Sequence, residues 1–273
     1  FFATPQDIDF AQLCNTYGVK HLLIQSWQQL EELLNNSPEK TIVTIMHANN
    51  EIGNCISLHE VGALCKKHNA YFHSDTVQTV GHFHFDLKNI PVDFVTAAGH
   101  KFHGPKGTGI LYINENIKIN PFLHGGAQER NMRAGTENVY GIVGFAKALE
   151  LSNQNHDKDK AYISGLKKYM YDSLVNNIPS VSFNGDTFGD SLYTLLSVNF
   201  PKNQKTEMLL FNLDIQHICA SGGSACSSGA QQGSHVIAAL HKPSDIVTVR
   251  FSFSKYNTTQ EIDMVVATLC TLL

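Results

Sequence analysis

Apolar and polar positions alternate along this chain with periods that change from segment to segment. "WQQLEELLNN", from Trp27, reads as a short amphipathic helix that ends at "SPEK". "TIVTIMH", Thr41–His47, is a β-rich run and predicts a buried strand. In "SLHEVGALCKKHN", Ser57 with Glu60 makes a capping box, and Leu58, Val61, Leu64 and Cys65 share one apolar helical face. "AYFH" predicts a strand ending at "SDTVQ", and "VDFV" and "TGILYI" predict two more. Strand–helix–strand order at this spacing argues for a right-handed βαβ unit and a mainly parallel sheet. Chemistry in such sheets sits beyond the carboxyl ends of the strands. The polar clusters "HANNE", "SDTVQ" and "AAGHK" fall at those ends.

The texture changes near residue 150. "SNQNHDKDK" reads as a polar break before a helix, "AYISGLKKYMYDSLVNN". "SVSFN" and "YTLLSVNF" predict strands, "TEMLLFNLD" a helix, "HICA" a short strand, "SHVIAAL" a helix and "VTVRFSF" a strand. Thr258 with Glu261 caps a last helix bearing Ile262, Val265, Val266 and Leu269 on one side. The expected class is α/β, divided into residues 1–40, a large domain over 41–153 and a small α+β domain over 154–273.

Composition narrows the function. The 273 residues are 42% hydrophobic and 16% charged, with a net charge of −4. That balance is globular and argues against nucleic acid or an anionic membrane as partner. No apolar run reaches spanning length, so a cytoplasmic protein is expected. The six cysteines are irregularly spaced, without a C-x-x-C pair, which argues against a disulfide framework. The fourteen histidines show no zinc-ligand spacing, and no metal site is expected.

Four residues stand out chemically. Lys101, in "VTAAGHKFHGPKGTG", follows an apolar strand and precedes a run of glycines. A lysine buried there loses solvation and becomes nucleophilic, suited to bonding a carbonyl such as that of pyridoxal phosphate; the alternative is a plain loop lysine. Asp75 lies at the preceding strand end, where a carboxylate can keep the cofactor's ring nitrogen protonated or merely cap a turn. Gln78 and His100 are near enough in sequence to bond the cofactor's phenolic oxygen or phosphate. Cys226 sits in "ASGGSACSSGAQQGS", a glycine- and serine-rich surface loop in which a thiol can swing toward a site or lie idle. Cys219, on the apolar run before it, looks structural. Arg250 interrupts the apolar "TVRFSF"; a buried guanidinium there either clamps a substrate carboxylate or pairs with an internal acid. "GGAQERNMRAGTEN" adds Arg130, Arg133 and Thr136 as possible anion contacts.

From Thr41 onward, "MHANNEIG", "HSDTVQTVG", "GHKFHGPKGTG", "GGAQERNMRAGT", "SGGSACSSG" and "VRFSF" together resemble the NifS-type cysteine desulfurases. These belong to the class V aminotransferase group of fold type I enzymes, which use pyridoxal 5'-phosphate. The resemblance implies an incomplete large domain followed by the small domain. It also implies that Lys101 holds the cofactor, Asp75 pairs with the ring nitrogen and Gln78 with the phenolic oxygen. Asn50 would lie beside cofactor and substrate, and His100 would touch the phosphate and assist proton transfer. Arg250 would grip the carboxylate of L-cysteine. Cys226 would take the substrate sulfur as a persulfide, releasing alanine. Thr136 would reach the phosphate of the other subunit's cofactor in a homodimer. The sulfur would pass to an iron–sulfur scaffold or a tRNA-thiolation carrier. A selenocysteine lyase, another class V aminotransferase, or a cofactor-poor binding partner are the competing expectations. The chain departs from the family pattern at Ala98, where serine is usual, and lacks the family's phosphate cradle and ring-stacking histidine ahead of Thr41. Residues 1–40 resemble instead the end of a menaquinone-pathway thiamine-diphosphate synthase.

Overall fold

The computed structural model describes residues 18, 22, 24–37, 40–222, 234–240 and 245–273. Helix α1 (Trp27–Asn36) precedes strand β1 (Ile42–Met46), helix α2 (Leu58–Lys67) and strands β2 (Tyr71–Asp75), β3 (Phe94–Ala98) and β4 (Gly109–Ile113). These strands form one sheet in the order β1-β2-β3-β4. The first three are parallel, and β4 returns antiparallel to β3. The βα unit around α2 is as expected. The link from β2 to β3 is different: residues 76–93 contain no helix.

Because side chains alternate across a strand, one face of this sheet carries Val43, Phe72 and Val95. They pack under α1 through Leu30 and Leu34 and under α2 through Val61 and Cys65. Ser57 caps α2 by accepting a hydrogen bond from the Glu60 amide at 3.2 Å. On the opposite face Ile42, Met46 and Leu111 stand exposed. Residues 27–36 are thus part of the same core as the strands that follow them.

Helix α3 runs unbroken from Val139 to Asn177. The polar stretch expected to break it is helical, and the boundary expected at 153/154 falls inside it. The cause is composition: Asn, Gln, Asp and Lys are polar, but none is a breaker like proline, and Lys147–Glu150 adds an i,i+3 ion pair. The amino end of α3 packs Phe145 against the turn after β3, while Ile163, Leu166, Met170 and Leu174 enter a second core. That second core lies on an antiparallel sheet of β5 (Ser182–Phe183), β6 (Leu195–Pro201) and β7 (Ile246–Ser252). Helix α4 (Leu209–Ile215) and helix α6 (Thr259–Leu272) complete it, and a short helix α5 (His235–Ala239) lies between them in sequence without buried residues. The Thr258–Glu261 capping box of α6 is present in full. Residues 217–220 form no strand; the backbone there reaches the sheet through a single bridge, Ser221 to Arg250.

Candidate active site

Strand β3 ends at Ala98 and the chain turns at once through a 3-10 helix, Gly99–Phe102. Phe102 plugs this turn into the core, 1% exposed and edge-on to Phe145 at 5.1 Å. Gly99 is required by close approach: a Cβ there would stand 2.9 Å from the Phe145 ring and 3.0 Å from the Thr108 hydroxyl. Lys101 is therefore carried on a rigid turn while its side chain is exposed. Of the two readings the sequence left open, the side chain is the exposed one. The segments that pack around the turn hold its backbone and leave the side chain open.

His82 holds the Lys101 backbone. Its Nε2 lies 3.0 Å from the Lys101 carbonyl, which can only accept, so Nε2 carries the proton. Nδ1 then accepts from the Tyr193 hydroxyl at 3.2 Å. Burial pushes the His82 pKa down and the Tyr193 phenol up to about 12, so both stay neutral near pH 7.

Lys101, Gln78, Asn50 and Arg250 line one pocket of about 180 Å³, with His82 and His103 on its wall. Gln78 is placed by the turn after β2, where the Thr76 hydroxyl donates to the Thr96 carbonyl at 2.8 Å. A larger cavity of about 590 Å³, walled by His47, Cys55, Lys167 and Asp190, contains none of the sequence-derived site residues. The smaller pocket is the better candidate because an amine, two carboxamides and a guanidinium converge on it.

Arg250 is half-buried on β7. Its Nη1 donates to the Asn50 carbonyl at 2.6 Å, joining the small sheet to the loop after β1. Its Nε is buried without a hydrogen-bond partner. Among the described residues it forms no ion pair, so the internal salt bridge is excluded there. Desolvation lowers its pKa, opposed by the charge of nearby Glu51. An orphaned buried donor of this kind is the complement of an incoming carboxylate.

Cys226 lies outside the described residues, but the two ends of its segment do not. Ser221 exchanges backbone hydrogen bonds with Arg250 at 2.6 and 3.2 Å. Ser234 donates to the buried Glu51 carboxylate at 2.5 Å. Ser221 and Ser234, described residues on either side of it, thus contact Arg250 and the neighbour of Asn50.

Three expected residues are not on the pocket wall. Asp75 is exposed at the end of β2, beside Thr96 of β3, with Oδ1 accepting from the Val77 amide at 2.9 Å. His100 is exposed on the Lys101 turn, and Thr136 is exposed ahead of α3. Cys219, read as structural, is exposed and outside any strand. The sequence reading missed His82, Tyr193 and Glu51. His82 carried a weak signal as a polar residue inside "VGHFHF", and Tyr193 carried none.

The donor set fits pyridoxal phosphate in kind. Lys101 offers an amine for its aldehyde, Gln78 an amide for a ring oxygen, and Asp75 an accessible carboxylate at the neighbouring strand end. The pocket is smaller than the roughly 300–1,000 Å³ of a usual small-molecule site, so it encloses only part of such a ligand.

Comparison with known proteins adds three findings. The model of the family described as aminotransferase class-V matches residues 13–265, reaching well ahead of Thr41, where the sequence motifs begin. A cysteine desulfurase IscS of Methanosarcina thermophila is 41% identical over 238 residues, covering 86% of this chain and 58% of that protein. A cysteine desulfurase IscS of Clostridium botulinum is 38% identical over 255 residues, covering 90% and 62%. The chain therefore spans about three fifths of the length of the curated relatives it matches. The solved structure of a NifS-like protein from Rickettsia africae superimposes with a TM-score of 0.83 at 30% identity, covering 96% of this chain and 72% of that one. The fold is accordingly that of the NifS-like enzymes, with a mainly parallel sheet.

Proposed function

The chain belongs to the aminotransferase class-V family, and from that premise we propose that it is a pyridoxal-phosphate-dependent cysteine desulfurase. It takes sulfur from L-cysteine, gives L-alanine, and passes the sulfur to an iron–sulfur scaffold or a tRNA-thiolation carrier in the cytoplasm. One observation carries this reading: Lys101, Gln78, Asn50 and Arg250 line a single pocket, and Ser221 and Ser234, on either side of Cys226 in sequence, contact Arg250 and the neighbour of Asn50.

The roles follow from the chemistry of each group. Lys101 holds the cofactor through its amine, on a turn locked by Phe102 and His82. Asp75 pairs with the ring nitrogen and Gln78 with the phenolic oxygen, while His100 contacts the phosphate. Bound pyridoxal phosphate supplies an electron sink for the substrate's carbon skeleton. Arg250 receives the substrate carboxylate on its unpartnered Nε and fixes the amino acid in the pocket, with Asn50 alongside. The Cys226 thiolate attacks the substrate sulfur and the C–S bond breaks. The sulfur remains on Cys226 as a persulfide, and the carbon keeps the electron pair and takes a proton to become the methyl of alanine. In this reading Lys101 moves that proton and His100 assists.

A homodimer is part of this proposal. Val139, Tyr140 and Val143 project into solvent from the start of α3, directly after the Thr136 segment. Apolar side chains grouped in this way are the surface a second subunit would cover. The large domain over 41–153 and the small domain over 154–273 then share α3 as their common strut.

The test is spectroscopic and chemical. Addition of pyridoxal phosphate gives a visible band of lysine-bound cofactor that is lost in Lys101→Ala. L-Cysteine is converted to alanine with bound sulfur, and Cys226→Ala abolishes sulfur transfer while retaining the band. A band without any sulfur release from cysteine points to another class V aminotransferase. No band at any concentration overturns the cofactor assignment.

A further inference from the structure

Away from the pocket, His84, His156 and Asp157 each bring a donor atom within 4.8 Å of the other two. His84 belongs to the link between β2 and β3, and the other two to α3, so they lie 72 positions apart. That separation hides the set from any search by spacing. The His156 Nδ1 is 2.9 Å from Asp157 Oδ1, and the His84 Nε2 is 3.7 Å from the same oxygen. The two imidazole rings stand 3.8 Å apart, centroid to centroid.

Donors bound at zinc's usual 2.0–2.2 Å in a tetrahedron stand about 3.3 Å from one another. The two measured separations, 2.9 and 3.7 Å, fall on either side of that value. Small rotations of the two exposed side chains would bring the set to bonding geometry, and His156 needs none, since its side chain is 6% exposed and held by the core.

A second observation concerns the ring of His156. Its Nε2 lies 3.0 Å from the His82 carbonyl oxygen, which can only accept. Nε2 therefore carries a proton, and Nδ1 meets the Asp157 carboxylate at 2.9 Å, a hydrogen bond when that nitrogen is protonated as well. A divalent cation can take the place of the proton that Nδ1 and this carboxylate share. A histidine whose distal N–H is held by a backbone carbonyl is also the usual outer-shell arrangement of a metal ligand.

We propose that His84, His156 and Asp157 bind a divalent transition-metal ion of the zinc class, with water completing its coordination. Two imidazoles and one carboxylate suit zinc, cobalt or nickel; magnesium and calcium take oxygen ligands. The site is separate from the pocket but adjoins it through His82, whose carbonyl holds His156 and whose ring holds the Lys101 carbonyl.

The test is calorimetric titration of the full chain with Zn2+ alone, comparing wild type with His84→Ala, Asp157→Asn and the double variant. Both changed side chains are largely exposed, so the fold is kept, which circular dichroism checks. Cysteines elsewhere can take zinc, so the reading is the difference between chains. Each single variant is expected to weaken one equivalent at least tenfold, and the double variant to lose it. Lys158→Ala, on the same helix, is expected to change nothing. Zinc is also expected to raise the melting temperature of wild type more than that of the double variant. Equal stoichiometry and affinity in wild type and double variant, or no uptake by wild type, overturns the proposal.

Discussion

Acidification should unfold this protein partly through one histidine. His47 follows β1, with its ring edge-on to Phe83 at 5.6 Å and to Phe85 at 5.5 Å. Its Nδ1 shares a hydrogen bond of 2.9 Å with the Thr79 hydroxyl. Burial drives its pKa down to about 4, from 6.5 in an open chain. Between pH 4 and 6.5 the unfolded chain therefore binds a proton at this site that the native chain does not. Where the unfolded state holds more protons, stability rises with pH, so this contribution is complete above 6.5 and lost as pH falls to 4. A drop of 2.5 pH units at 1.36 kcal/mol each is about 3.4 kcal/mol. One side of the ring faces the larger cavity, so solvent screening reduces this to about 2–3 kcal/mol. That is a large share of the roughly 5–15 kcal/mol that holds a domain together.

The assay is urea denaturation of wild type and His47→Gln at pH 7.5, 6.5, 5.5 and 4.5. Glutamine keeps a donor for Thr79 and cannot gain a proton. Carboxylates and the other buried histidines titrate in both chains, so the difference between the curves isolates His47. Burial also lowers the pKa of His73, His82 and His103, which adds to the common slope. Wild type should lose about 1.5–2 kcal/mol more than the variant between pH 6.5 and 4.5, the part of the shift that this window covers. Parallel curves would refute the reasoning, because they would mean that His47 takes up its proton without unfolding.

Arg250→Ala should raise the KM for L-cysteine by about 10- to 150-fold for each charge-assisted bond lost, at roughly 1.5–3 kcal/mol apiece; an unchanged KM would remove Arg250 from the substrate site. Lys167 is 4% exposed, donates to the Leu192 carbonyl at 2.9 Å, and has its pKa pushed down to about 8 by burial. The native chain then loses this proton near pH 8 while the unfolded chain keeps it to 10.5, so the Lys167 contribution to stability should climb across that window, against the fall contributed by Cys55, Cys65 and Tyr193, whose pKa values burial raises. Lys167→Met should remove that contribution and gain about 1–2 kcal/mol at pH 7, read from thermal melts; a difference between wild type and variant that stays constant from pH 8 to 10 would contradict this. A Cβ on Gly62 of α2 would collide with the Pro91 carbonyl and ring. Gly62→Ala should therefore cost about 1–3 kcal/mol in urea unfolding, and a shift under about 0.5 kcal/mol would show that the turn gives way.

Much of the site was legible because its signals are local. Arg250 drew attention as a charge inside an apolar strand, and Lys101 by its place after one; both line the pocket. Asn50 and Gln78 came with the motifs around them. The errors have a common origin. The polar stretch near residue 153 was read as a break because polarity mimics a loop, yet it contains no residue that stops a helix. Whether the Lys101 side chain is buried stayed open in the sequence, because burial depends on what packs over a turn. "HICA" and Cys219 were read as a strand because four residues carry too little periodicity to decide.

The one-dimensional order of this chain determined most of its elements, the parallel pairing of β1, β2 and β3, and the residue types available for chemistry, since hydrophobic period, caps and turn residues act over a few positions. Only the tertiary structure decided what those residues meet. It put the Asn50 carbonyl against Arg250 across 200 positions, Ser234 against Glu51, and His84 beside His156. Contacts of that kind are produced by the packing of two cores along α3, and no local pattern encodes which distant side chains such packing brings face to face.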